Sequence, residues 1–90
     1  MSLQTSLILL NFHNSMKGQI RNEELLLKIA LKFKELRSLK GVTQEEVYND
    51  TGVHISRIET GKINITVSTL EHLCIYFNLE LWEFFSVIKY

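Results

Sequence analysis

Two short stretches of this chain, residues 42–47 and 55–61, hold side chains whose types and spacing suit the recognition of DNA. Each stretch is typical of a short helix, and the turn between them is tight. The second stretch places Ser56 and Arg57 where a helix that reads DNA would carry them. A guanidinium can donate two hydrogen bonds to one guanine. These residues indicate a protein that acts by occupying DNA and catalyses nothing.

The other residues capable of chemistry do not form a catalytic or metal-binding pattern. The histidines His13, His54 and His72 have unrelated spacings and no matching cluster of carboxylates or thiols. Cys74 is the single cysteine, which excludes a disulfide within the chain and fits a small core residue on a helix. No strand is followed by a glycine-rich loop and a helix, so the common nucleotide sites are excluded. We therefore expect no enzyme, no metal and no cofactor.

The composition is that of one ordinary domain. Ninety residues with 46% hydrophobic and 22% charged content allow one modest core, and the absence of proline favours a helical bundle. No run approaches the roughly twenty apolar residues that a membrane span needs, and the apolar residues 7–10 lack the flanks of a signal peptide. The net charge is zero, but residues 17–40 carry +4 and residues 41–90 carry −4. This distribution shows no strongly basic surface, which counts against tight DNA binding.

Capping residues set the bounds of the first two predicted helices. Asn22 is a good N-cap for the first helix, and Gly41 suits its end as a left-handed residue. Thr43 and Glu46 form the capping box that opens the second helix. Apolar residues recur along the first helix at helical spacing, and one apolar residue anchors the second helix; all are predicted to face the core. They are Leu25 or Leu26, Ile29, Phe33, Leu36 and Val47.

Three further helices complete the predicted fold. The third ends before Gly61, and the fourth begins after Thr66 as its N-cap and ends with Asn78 as a left-handed cap. The last is a short aromatic helix over residues 81–87. Five helices with short joins predict an all-α domain over residues 21–90.

An N-terminal extension over residues 1–20 precedes this domain. It carries an apolar patch at positions 7–12, followed by a polar join. The extension is either an added segment before a natural start at Met16 or an apolar tail that lies on a groove. Such a groove would belong to its own domain or to a partner subunit, where the tail would make a dimer contact.

Together these residues resemble the Cro/C1-type helix-turn-helix family, also called the lambda-repressor-like or XRE family. The resemblance covers residues 25–86, nearly the whole of the predicted domain. No single match is specific, but the set is. It comprises Leu36-Arg37, the run Val42 to Val47, the run Ile55 to Lys62, Asn64, Leu70, Leu73, the close Phe77-Asn78-Leu79 and the short helix Leu81 to Phe85.

The resemblance implies a five-helix lambda-repressor-like bundle whose third helix lies in the major groove of DNA. Gln44 is similar to the family's phosphate-clamping glutamine, and the alternative is an ordinary surface residue. Arg57 is expected to pair with a guanine, or else to contact a phosphate or lie exposed. The same matching assigns the expected DNA contacts in three groups. Gln44 and Thr51 contact phosphates, and Thr60, Lys62 and Asn64 contact the DNA backbone beyond the helix. The residues that face the bases are Gly52, Val53, His54 and Arg57, with Ser56 beside them.

Four other matched residues are expected to hold the fold together. Arg37 and Glu59 resemble the family's ion pair between the first and third helices. Removing one partner of a buried pair costs several kcal/mol, so the two are predicted to tie the fold and not to touch DNA. Ile55 and Ile58 are predicted to lie in the core.

The chain departs from the family between its two matching ends. Gln44 and Glu59 are 15 positions apart, which makes the motif about one helical turn short. Either residues 52–53 form the turn and leave a stunted recognition helix, or Thr51 caps that helix and residues 52–53 lie inside it. We favour the second arrangement because the later matches run without a gap. Tyr48 agrees with an altered helix crossing, since the family has a small residue there.

The leading interpretation is a sequence-specific transcriptional regulator that binds double-stranded DNA as a homodimer, because one short helix reads too few base pairs alone. The apolar tail and the aromatic last helix are the candidate dimer contacts. The alternative is an antitoxin-like or regulatory protein-interaction module with weak or no DNA binding. Zero net charge and the lack of hydrogen-bonding side chains at Gly52 and Val53 favour that alternative. The resemblance further implies a cytoplasmic, nucleoid-associated bacterial protein with no membrane contact.

Overall fold

A computed structural model describes residues 20–90, which form five helices and no strand. The predicted all-α fold is therefore confirmed for this part of the chain. Apart from Ile20, the extension over residues 1–20 lies outside the described residues. The helices are α1 (Glu23–Lys40), α2 (Gln44–Thr51), α3 (Ile55–Ile58), α4 (Val67–Tyr76) and α5 (Leu81–Val87).

Both ends of α1 are fixed by the predicted caps. The Asn22 side chain accepts a hydrogen bond from the Leu25 backbone N–H at 3.0 Å, and two glutamates follow in the first turn, where the helix dipole favours them. Gly41 has a φ of +76°, and its N–H donates to the Arg37 carbonyl at 2.8 Å. The long helix therefore stops where a residue without a Cβ permits a left-handed turn.

The start of α2 was predicted correctly and its end was not. Thr43 Oγ1 accepts from the Glu46 N–H at 3.0 Å, and the Glu46 carboxylate accepts from the Thr43 N–H at 3.2 Å, which completes the capping box. At the other end, Thr51 is the last residue of α2, and its hydroxyl donates to the Val47 carbonyl at 2.7 Å. Gly52 follows with a φ of +77°.

The favoured arrangement, with Thr51 capping the third helix and Gly52 and Val53 inside it, is thus wrong. A left-handed residue cannot lie inside a right-handed helix, and Gly52 closes α2 by donating its N–H to the Tyr48 carbonyl at 2.8 Å. Residues 52–54 form the turn, and α3 has only four residues. The alternative weighed from the sequence, a turn at residues 52–53 followed by a stunted helix, is the correct one.

The later caps follow the prediction. Thr66 accepts from the Thr69 N–H at 3.1 Å at the start of α4, and Asn78 has a φ of +61° just beyond its end. The start of α5, for which the sequence predicts no cap, is closed by the Glu83 carboxylate, which accepts from the Glu80 N–H at 3.0 Å. The bounds of α5 are those predicted for the aromatic last helix.

One hydrophobic core joins all five helices. Phe33 of α1 lies at its centre, with ring centroids 4.9 Å from Phe84 of α5 and 6.0 Å from Phe77 beyond α4. Leu26 and Ile29 of the predicted α1 stripe are buried beside Phe33, whereas Leu25 and Leu36 are half-buried. The remaining residues predicted for the core, Val47, Ile55, Ile58 and Cys74, are buried as expected, and Leu70 and Leu73 of α4 are buried with them.

None of the helices between residues 20 and 90 combines the length and the apolar character that a membrane crossing requires. The longest, α1, has 18 residues and carries charged side chains along its outer face.

Candidate nucleic-acid interface

The turn between α2 and α3 is held by its own backbone and by one hydroxyl. Thr51 Oγ1 accepts from the Val53 N–H at 3.1 Å, and the Ile55 N–H donates to the Val53 carbonyl at 2.9 Å. Ile55 is fully buried and Ile58 nearly so. Because these two side chains fix the inner face of a four-residue helix, the Ser56 and Arg57 side chains between them are exposed.

A buried ion pair ties α3 to α1, as predicted. Arg37 Nε donates to Glu59 Oε2 at 2.7 Å and Arg37 Nη2 donates to Glu59 Oε1 at 3.0 Å, a two-point contact. A third guanidinium nitrogen donates to the Val42 carbonyl at 3.1 Å. The Glu59 side chain is 1% exposed, and its hydrogen bond raises the pKa of Arg37 above the usual value. The pair fixes the far end of α3 against the long helix.

Gln44 is attached to the same carboxylate. Its Nε2 donates to Glu59 Oε1 at 2.9 Å, so the amide plane is set by the Arg37–Glu59 pair. The residue as a whole remains exposed at the first position of α2. A primary amide has two N–H donors and a carbonyl acceptor, so one donor and the acceptor remain for another group. Spacing alone did not predict this contact, although the resemblance had marked each of the three residues.

Several predicted site residues use their polar atoms inside the chain. Thr51 both donates and accepts within the turn, as described above. The Thr60 hydroxyl donates to the Arg57 carbonyl at 2.6 Å and accepts from the Lys62 N–H at 3.3 Å. Asn64 Nδ2 donates to the Ile20 carbonyl at 3.2 Å. These hydrogen bonds shape the turn before α3 and the loop after it.

Two cations of the predicted set have side chains without such partners. Within residues 20–90, the Arg57 guanidinium and the Lys62 ammonium make no ion pair and no side-chain hydrogen bond. The Arg21 guanidinium donates to the Lys62 backbone carbonyl at 3.1 Å and pairs with Glu23 at 3.6 Å. Two residues of negative charge, Glu45 and Glu46, are exposed nearby in the first turn of α2. The surface thus mixes free positive groups on α3 and its loop with negative groups on α2.

Tyr48 is a residue of this surface that the sequence did not assign to the site. Its ring stacks on the His54 ring, with centroids 4.2 Å apart and planes 22° from parallel. His54 stands at the N-cap position of α3 without making a side-chain cap. The signal in the sequence was the spacing from Gln44 to Tyr48, since residues four apart share one helix face.

The structure gives the ten predicted residues unequal roles. The α2–α3 unit brings Gln44, His54, Ser56 and Arg57 onto its outer surface, whereas Gly52 and Val53 form the turn. Among the described residues, no group of three or more histidine, cysteine or acidic side chains is placed to hold a metal ion. The arrangement offers cations and an amide, groups that can donate hydrogen bonds to phosphate oxygens and base edges.

Comparison with known proteins gives one match. A model of the helix-turn-helix family matches residues 33–84, more than half of the chain, from the middle of α1 to the middle of α5. No curated protein and no solved structure matches the chain.

Proposed function

This chain belongs to the Cro/C1-type (XRE) helix-turn-helix family of DNA-binding regulatory domains, and from that premise we propose that it is a sequence-specific transcriptional regulator. It acts as a homodimer on double-stranded DNA and has no enzymatic activity of its own. Its third helix, α3, lies in the major groove, with flanking residues at the phosphates.

The unpaired guanidinium of Arg57 is the observation that carries this proposal. The inner face of α3 is committed to the core through Ile55 and Ile58, so Arg57 extends outward from a helix whose orientation is fixed. Arginine is well suited to guanine because its two parallel N–H groups match the O6 and N7 acceptors in the major groove. An arginine held by an internal carboxylate, as Arg37 is, would not be available for this role.

Backbone contacts are assigned to the two sides of α3. Gln44 offers its remaining amide N–H beside the free backbone donors in the first turn of α2, a suitable position for one phosphate. Lys62 offers a free ammonium in the loop after α3. Phosphate contacts of this kind fix the register of a domain and add no sequence information.

A dimer follows from the size of the reading element. Four residues of α-helix rise about 6 Å, which spans only a few base pairs. Two copies on half-sites about 34 Å apart would multiply the specificity of one. The predicted contact at the aromatic last helix gains support from Trp82, whose side chain is 70% exposed on α5. The predicted contact through the N-terminal extension lies outside the described residues.

Selection of bound duplexes from a random pool at low salt tests the proposal directly. We expect the wild-type protein to enrich a two-fold symmetric motif and Arg57→Ala to lose the preference for one guanine in each half-site, at a cost of about tenfold in affinity. Lys28→Ala is the matched control, since Lys28 is a cation on the side of α1 opposite Arg37, where it pairs with Glu24 at 3.7 Å beside Val87 and Ile88. Failure of the wild type to enrich any motif would remove the proposal.

One observation favours a second candidate, a protein-interaction module on the same fold. Exposed Glu45, Glu46 and Asp50 make α2 acidic, and the second half of the chain has a net charge of −4. Such a surface repels phosphates and lowers affinity. The two functions separate in the salt dependence of binding to unselected duplex DNA, because a DNA-binding domain loses affinity steeply as salt rises. Absence of any binding at the lowest salt would favour the interaction module.

A further inference from the structure

Tyr48 and Gln44 form a row on one face of α2 that runs along α3. Residues at i and i+4 of a helix lie one above the other. Gln44 contacts the end of α3 through Glu59, at 2.9 Å, and Tyr48 contacts its start through the ring of His54, at a centroid distance of 4.2 Å. A polar and aromatic edge of α2 therefore accompanies the whole length of the reading helix.

The stacked rings keep their polar atoms free. Tyr48 is 43% exposed and His54 is exposed. Within residues 20–90, neither the Tyr48 hydroxyl nor a ring nitrogen of His54 has a hydrogen-bond partner. Stacking covers one face of each ring and leaves the edges, where the hydrogen-bonding atoms lie, directed away from the partner ring.

Other tyrosine and histidine side chains of the described residues are engaged internally. The Tyr76 hydroxyl donates to Asp50 Oδ2 at 2.7 Å, and the Tyr90 hydroxyl accepts from Asn22 Nδ2 at 2.6 Å. His72 Nε2 lies 3.0 Å from the Thr51 carbonyl oxygen. Tyr48 and His54 on the α2–α3 surface differ from them in that their hydrogen-bonding atoms have no partner among the described residues.

We propose that Tyr48 is a specificity-determining residue, which fixes the plane of His54 and acts with it to read a purine at the end of the half-site nearest the start of α3. This inference rests on the proposed function. The phenol O–H and an imidazole N–H are donors, and both purines present the N7 acceptor in the major groove.

The composition of the turn explains why these two residues carry the readout there. Gly52 and Val53, which precede His54, have no hydrogen-bonding side chain. The reading helix itself supplies only Ser56 and Arg57 as exposed side chains. A tyrosine brought in from α2 widens the readable surface at the point where α3 is too short to extend.

The experiment compares selected DNA motifs among four proteins: the wild type, Tyr48→Ala, Tyr48→Phe and His54→Ala. We expect the two alanine variants to lose the purine preference at the same position, with the ratio of specific to non-specific affinity falling about tenfold. Tyr48→Phe keeps the stack and loses the hydroxyl, so we expect a fall of about threefold. Tyr76→Phe is the matched control, because it removes a tyrosine hydroxyl bonded to Asp50 and should leave the motif unchanged.

A second measurement probes the purine directly. Replacing that purine by its 7-deaza analogue removes the N7 acceptor, so wild-type affinity should fall to the level of Tyr48→Ala on the natural site. The affinity of Tyr48→Ala itself should be unchanged by the replacement. If Tyr48→Ala is too unstable to assay, His54→Ala gives the same comparison, since its exposed side chain lies outside every helix.

The outcomes separate this inference from the function on which it rests. A wild-type protein that selects no motif defeats the proposed function. A wild-type motif that both alanine variants select with an unchanged affinity ratio defeats the role of Tyr48 alone. Equal losses of specific and non-specific affinity, together with a lower melting temperature, would assign Tyr48 to packing and also overturn the inference.

Discussion

Neutralising the carboxylate of Glu59 should destabilise the fold and disturb the candidate site together. That carboxylate accepts three hydrogen bonds, two from Arg37 at 2.7 and 3.0 Å and one from Gln44 at 2.9 Å. In Glu59→Gln the side chain keeps its shape, but one oxygen becomes an N–H₂ group facing the donors of Arg37. The substitution therefore leaves a guanidinium without its counter-charge and turns one attraction into a repulsion between donors.

The size of the effect follows from the exposure of the two partners. Breaking a fully buried ion pair by removing one partner costs about 3–5 kcal/mol. Glu59 has a side chain 1% exposed, whereas that of Arg37 is 21% exposed, so water can reach part of the guanidinium. We therefore expect a loss of about 2 kcal/mol in the free energy of unfolding. For a domain of this size, that corresponds to a fall of roughly 8–16 °C in the melting temperature.

Urea and thermal unfolding followed by far-ultraviolet circular dichroism measure this loss. Glu35→Gln is the matched control, since Glu35 pairs with Lys32 at 3.2 Å on the surface with its side chain 58% exposed. Exposed pairs contribute about 0–1 kcal/mol, so the control should change little. Replacing both buried partners, as Arg37→Met with Glu59→Leu, should recover much of the stability. Equal losses in Glu59→Gln and Glu35→Gln would refute the reasoning.

Two further predictions concern Cys74 and Gly52. Burial, and secondarily the nearby Glu71, raises the pKa of the Cys74 thiol to about 11, so the neutral thiol is favoured in the folded protein. The free energy of unfolding should therefore fall as the pH rises from about 9 to about 11, and it should fall less in Cys74→Ala. Urea titrations across that pH range measure both. An identical pH dependence in the two proteins would contradict the burial argument. Gly52→Ala places a Cβ on a residue with a φ of +77° and should lower the free energy of unfolding by about 1 kcal/mol. The loss would come from backbone strain alone, since the new Cβ would meet no atom within 4 Å. An unchanged urea midpoint would show that the turn relaxes freely.

The helix ends were predictable because caps are local chemistry. The Thr43–Glu46 box, the Asn22 cap and the left-handed Gly41 each depend on residues within one turn of each other. Buried positions such as Phe33 followed from helical periodicity, which is also local. These features were confirmed because no distant part of the chain competes for the same side chains.

The end of α2 was mispredicted because Thr51 suits two positions. A threonine is a common N-cap, but its hydroxyl can equally donate to a carbonyl four residues earlier, as it does here to Val47. Gly52 decides between the two positions of Thr51, because its left-handed φ ends α2. Sequence matching gave more weight to the unbroken run after the turn than to this glycine.

Contacts across the site could be predicted only in part. The Arg37–Glu59 pair was expected from family resemblance, not from spacing, and it is confirmed at 2.7 Å. The links from Gln44 to Glu59 and from Tyr48 to His54 depend on how α2 crosses α3, which no local pattern encodes. In the sequence Tyr48 indicates an altered helix crossing, and only the three-dimensional structure shows its contact with His54.

The four-residue α3 has a consequence for how this protein can change over time. Isolated helices of such length are not stable in water, so α3 takes its position from its contacts with the rest of the domain, above all from Ile55, Ile58 and the Glu59 ion pair. A substitution among these core residues would therefore reorient Arg57 without touching it. Under the proposed function, a change in core packing would therefore also change DNA recognition. Variants that acquire a new target sequence should then carry compensating changes in the core as often as on the surface.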